Sequence, residues 1–156
     1  MENQALLQQI AAMRKSFFDE GTLDSFFVQL EQLQGPDDPN FVEEILTLFF
    51  SDSMDMLATV EEKLTKSPVD FTGINKILHQ LKVNSASIGA KKVKDKVIAM
   101  RNNSKEHNVE GIRVSLQELR MEYETLKGKF EPYFELLKQA GPQEGEALPS
   151  LYGGRF

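Results

Sequence analysis

Residues 112–137 read IRVSLQELRMEYETLKGKFEPYFELL. Ile112, Leu116, Leu119, Tyr123, Leu126, Phe130, Phe134 and Leu137 recur in steps of three and four. On a helix of about 3.6 residues per turn, that spacing gathers them into one apolar stripe, the seam of a bundle helix. Glutamates, lysines and arginines fill the other positions, as a solvated outer face requires. Pro132 has no N–H to give to the helical ladder, so a kink is expected there.

Working outward, proline and glycine divide the rest of the chain into segments with the same helical spacing rather than strand alternation. Leu6, Ile10, Met13 and Phe17 form the first stripe, closed by Glu20-Gly21-Thr22, with Thr22 expected to cap the next helix. Phe26, Phe27, Leu30 and Leu33 follow, and QGPDDP ends them. Asn40, three residues before Glu43, suggests a capping box for a long third segment. That segment carries Val42, Ile45, Leu46, Phe49, Ser53, Met56, Leu57, Val60 and Leu64 along one face. Asp70 is placed to cap a fourth, and Val93, Val97 and Met100 line a fifth over residues 91–104. The expected fold is all-α: four antiparallel helices from about residue 40 to 140 in an up-and-down bundle, with two additional helices at about 3–34. Residues 141–156, rich in glycine and without periodicity, are expected to be a flexible tail. No internal repeat is apparent.

At 156 residues the chain suits one domain, and 40% hydrophobic with 27% charged residues is the balance of a soluble protein. No apolar run nears the ~20 residues of a membrane span. A net charge of −6 disfavours nucleic acid as a partner. With no cysteine and only two histidines, thiolate chemistry and a clustered metal site are both disfavoured. A cytoplasmic or nucleocytoplasmic setting fits this composition.

Residues 79–90, HQLKVNSASIGA, depart from plain core patterning. Wound at about 100° per residue, Ile74, Ile77, Leu78, Leu81, Ser85 and Ile88 point inward. His79 lies about 140° from Ile74, on the outside. Val83, Ala86 and Ala90 share its stripe and Lys82 flanks it. Such a stripe, bare of long charged side chains, suits a surface that another protein covers. An exposed imidazole is a competent nucleophile, and an ammonium one turn away steadies an anion on it. Ser85 and Gly89 read as close-packing positions, and His107 as a solvated surface residue. Lys91, Lys92, Lys94 and Lys96 form a basic patch, either a solvated face or a device that steers an acidic partner. No glycine-rich ATP loop of the phosphate-cradling kind is present, so a kinase activity is not expected.

The stretch resembles the signature of plant histidine-containing phosphotransfer (HPt) proteins: His-x-x-Lys-Gly-Ser-Ser, a few residues, then Gly-Ala. His79, Lys82, Ser85, Ser87, Ile88, Gly89 and Ala90 match in register, and PNFVEEILTLFFSDS (39–53) and LKGKFEPYFELLKQAGP (126–142) look like the same family. The resemblance implies a single HPt domain over residues 1–140 and a role in two-component, cytokinin-type phosphorelays. His79 would be the phosphoacceptor, taking phosphate from the receiver domain of a hybrid sensor kinase and passing it to a response regulator. Lys82 would stabilise the phosphate, and Gln80, Val83, Ala86 and Ala90 would meet the receiver. The receiver would supply Mg²⁺, and the chain itself would hold no metal or cofactor. The protein would be a monomer in cytoplasm and nucleus. Val83 and Asn84 stand where the family has glycine and serine, which opens an alternative, a receiver-docking competitor with impaired transfer. A purely structural scaffold is a third reading.

Overall fold

The computed structural model describes residues 2–141; the tail expected at 141–156 lies outside them apart from Gly141. Six helices follow in order: α1 (Glu2–Asp19), α2 (Ser25–Gln32), α3 (Phe41–Leu64), α4 (Phe71–Ile88), α5 (Lys91–Lys105) and α6 (Val109–Ala140). The short connections between α3, α4, α5 and α6 turn each helix back on its predecessor, giving the antiparallel bundle the stripes called for. α5 packs on α4 and α6, α3 on the same two, while α1 lies against α6 and α2 against α4. Among the described residues the only bridge of strand type is an isolated one between Leu23 and Ala90.

The stripe of α6 is buried at Ile112, Leu116, Leu119, Tyr123, Leu126 and Phe130, but then shifts. Tyr133 is buried where Phe134 was expected, and its ring meets Phe17 of α1 edge-on at 5.3 Å. Docking of α1 on this end of α6 thus selects a different residue for the seam. The helix itself runs unbroken through Pro132.

Two caps differ from expectation. Asn40 precedes α3 but makes no side-chain cap bond; instead Gln34 Oε1 accepts the Val42 N–H at 3.0 Å. Thr22 is buried, and its carbonyl accepts the Lys91 N–H at 3.2 Å. The cap of α2 is Asp24, whose Oδ1 accepts from Phe26 N at 3.0 Å.

A buried ion pair ties α1 to α2. Arg14 Nε and Nη2 donate to Glu31 Oε2 and Oε1 at 2.9 and 2.6 Å. Burial pushes the Glu31 carboxyl above the ordinary carboxylate range, and the Arg14 hydrogen bonds oppose that rise. A raised native value means that the folded state holds its proton more tightly than the unfolded chain. This group therefore subtracts stability as pH climbs from the ordinary carboxylate range through the raised native value. Arg14→Met removes the opposing cation and leaves a buried charge. Unfolding by urea should show a loss of about 3 kcal/mol near pH 7 and a clearly smaller one near pH 4, where Glu31 takes up a proton. Equal losses at the two pH values would refute this account.

Candidate functional site

α4 carries every predicted site residue except the last two, Gly89 and Ala90, which follow it. Its N-terminus is fixed by Asp70, whose Oδ1 accepts the Gly73 N–H at 2.9 Å. That hydrogen bond, helped by Lys63 at 3.1 Å, holds the exposed Asp70 carboxyl below its usual range. Ile74, Leu78, Leu81 and Ser85 are fully buried, so one side of α4 is committed to the core. Ser85 Oγ donates to the Leu81 carbonyl at 2.7 Å, which satisfies a hydroxyl that has no access to water.

With that side anchored, helical geometry turns residues 76, 79, 80 and 83 outward. His79 and Gln80 are exposed, Lys82 and Ala86 half-buried, and Val83 is 45% exposed, directly opposite the core. The helix thus brings His79, Gln80, Lys82, Val83 and Ala86 onto one convex surface. Gln80 Nε2 donates to Asn84 Oδ1 at 2.8 Å, which ties the two amides together across one turn of the helix. This pair was legible as an amide couple at i, i+4 but was not anticipated. Ser87 Oγ donates to the Asn84 carbonyl at 2.9 Å.

Ala90 is the correction. It is fully buried and cannot belong to an outer stripe. The reason lies at Gly89, which ends α4 in the left-handed conformation, φ 79° and ψ 21°. Helical winding no longer applies beyond it. The chain instead runs under the start of α2: Asp24 N donates to the Gly89 carbonyl at 3.0 Å, and Ala90 N to the Ser85 carbonyl at 3.0 Å. Gly89 is a close-packing position, and its neighbours are Asp24 and the backbone and Cβ of Phe27 in the first turn of α2.

The basic patch is partly neutralised. Lys91 pairs with Asp95 at 3.2 Å and Lys96 with Glu118 at 3.7 Å, whereas Lys92 is exposed and Lys94 half-buried. His107 is exposed in the α5–α6 turn at φ 56°, with its ring stacked on Phe71 at 4.1 Å and 3°. Phe71 opens α4, about 12 Å of helix rise from His79, so the two histidines are not brought together. No group of three or more metal-ligating side chains occurs among the described residues. A groove of about 740 Å³ runs between α3 and α6, lined by Phe50, Met54, Tyr123 and Phe134 among others, and its lining includes no α4 residue.

Comparison with known proteins gives a consistent result. A family profile described as "Hpt domain" matches residues 44–129. The chain is 44% identical over 144 residues to a rice protein named pseudo histidine-containing phosphotransfer protein 2, covering 92% of this chain and 95% of that one. It is 42% identical over 125 residues to histidine-containing phosphotransfer protein 1 of Arabidopsis thaliana, covering 80% and 81%. Among solved structures, a histidine-containing phosphotransfer protein of Medicago truncatula superposes with a TM-score of 0.79 at 37% identity, covering 88% of this chain and 96% of that one. One from maize gives 0.78 at 35% identity, covering 86% and 98%.

Proposed function

This chain belongs to the Hpt domain family, and we propose that it is a phosphorelay carrier whose phosphoacceptor is His79. A ring nitrogen of His79 attacks the phosphorus of an aspartyl phosphate on a sensor-kinase receiver domain. The new N–P bond forms as the O–P bond breaks and the aspartate carboxylate leaves. The reverse step, onto a response-regulator aspartate, discharges the carrier. Lys82, one turn on, faces the phosphoryl group as a cation, and Gln80, Val83 and Ala86 meet the receiver. Mg²⁺ comes with the receiver, the chain acts as a monomer, and it works in cytoplasm and nucleus. The observation that carries this reading is an exposed histidine on the outward face of a rigidly anchored helix, one turn from a lysine. A convex site of this kind suits a group that two partners must reach in turn.

A second reading, docking on receivers with poor transfer, is favoured by one observation: the exposed branched side chain of Val83 beside His79. The deciding experiment mixes the protein with a phosphorylated receiver domain of a hybrid sensor kinase and Mg²⁺, and follows the label. Acid-labile, base-stable label on this chain is expected. Receiver binding without label would replace the carrier reading by the competitor.

A further inference from the structure

Building on the carrier reading, we propose that Val83 is a steric gate on His79, a specificity-determining residue that slows transfer from receiver-borne phosphate far more than from a small donor. In an α-helix each Cα–Cβ bond tilts toward the N-terminus, so a side chain covers the turn that precedes it. His79 therefore leans over Asn75 and Lys76, and Val83, four residues on, leans over the turn that holds His79. Val83 closes the C-terminal flank of the imidazole.

Three features make it a gate rather than a bystander. Its isopropyl group branches at Cβ and on a helix keeps essentially one rotamer, so it cannot swing aside as a leucine or lysine would. It is 45% exposed and opposite the core, so a protein surface laid along α4 meets it early. And the neighbouring amide of Gln80 is engaged with Asn84 at 2.8 Å, so it is committed to the next turn of the helix rather than to His79. A donor of a few atoms can approach the outward edge of the ring without touching the methyl groups. A receiver domain must bring its whole phosphorylation rim down onto the helix, and the same methyls hold its phosphorus back from the ring nitrogen.

The test compares two donors. Phosphoramidate supplies a phosphoryl group to imidazole directly: the N–P bond to His79 forms, the P–N bond of the donor breaks, and ammonia leaves. The phosphorylated receiver domain is the bulky donor. Initial rates of His79 labelling are measured with each, for the wild type and for Val83→Ala, a change that keeps a good helix former at the position. The ratio of receiver-driven to phosphoramidate-driven rate should rise about tenfold in the variant, since small misplacements of a reacting atom carry rate factors of that order or more. Label from phosphoramidate but none from the receiver in the wild type, with receiver transfer appearing in Val83→Ala, supports the gate and replaces the carrier reading by the competitor. A ratio unchanged within about twofold overturns the gate and leaves the carrier reading standing. Failure of both donors to label the wild type overturns the two together.

Discussion

The His79→Gln protein is expected to take up no phosphoryl label from a receiver domain while folding and binding receivers as the wild type does. Glutamine approximates the reach of histidine and can still hydrogen-bond, but its amide nitrogen has no nucleophilic lone pair to offer phosphorus. The chemical step therefore disappears and the surface is largely preserved. The fold should be indifferent to the change, because His79 is solvent-exposed and the anchoring of α4 comes from Ile74, Leu78, Leu81 and Ser85 on the other side. Exposed substitutions of this kind alter stability by about half a kcal/mol or less. The measurement is label transfer together with receiver affinity, read on both proteins. The three readings separate cleanly. A carrier loses all label and keeps binding. A docking competitor shows no label on either protein and equal binding. A scaffold is unaltered in everything it does. Label persisting on His79→Gln would place the acceptor elsewhere, and His107, stacked on Phe71, would be the next residue to replace.

How far the residues alone reveal such a site depends on whether local rules or distant contacts decide each position. The helices and their inward faces were legible because periodicity is a local property: Ile74, Leu78, Leu81, Ser85 and Ile88 of α4 all fall in the core as their spacing requires. His79, Gln80 and Val83 were legible as outward by the same winding. Ala90 was misplaced by extending that winding one residue past a glycine in the left-handed conformation. The choice of Tyr133 over Phe134 was not available from α6 itself, since α1 makes it. Asp70 caps α4 as expected, but the caps expected at Thr22 and Asn40 failed in the same manner. An Asn-x-x-Glu pattern precedes α3, but a glutamine six residues before the expected cap supplies the acceptor. The Arg14–Glu31 pair, seventeen residues apart, follows no helical spacing at all. What remained hidden at the site was the Gln80–Asn84 bond and the clamp of α2 on the end of α4.

That clamp gives the largest expected change in stability from a single methyl group, Gly89→Ala. Two penalties coincide at this position. The backbone sits at φ 79°, where any residue with a Cβ is strained by about 1–2 kcal/mol. The added Cβ would also press into the backbone nitrogen of Phe27, lie 2.8 Å from Asp24 Oδ1 and 3.0 Å from Phe27 Cβ. Backbone cannot yield as the tip of a lysine can, so the first turn of α2 must move. Moving it weakens the Asp24 cap, a bond of about 1 kcal/mol, and the Asp24–Gly89 backbone hydrogen bond with it. Together these place the loss at about 2–4 kcal/mol, a fall in Tm on the order of 10 °C for a chain of this size. Hydrogen exchange decides how the loss is distributed. If α2 lifts away as a unit, amides of Ser25–Gln32 lose protection while those of Phe71–Ile88 keep theirs, and His79 still accepts phosphate. If α2 is needed to hold the end of α4, protection falls in both helices and transfer falls with it. A loss below about 1 kcal/mol would mean that α2 slides along α4 without penalty, and that the clamp is not the constraint the contacts at Gly89 make it.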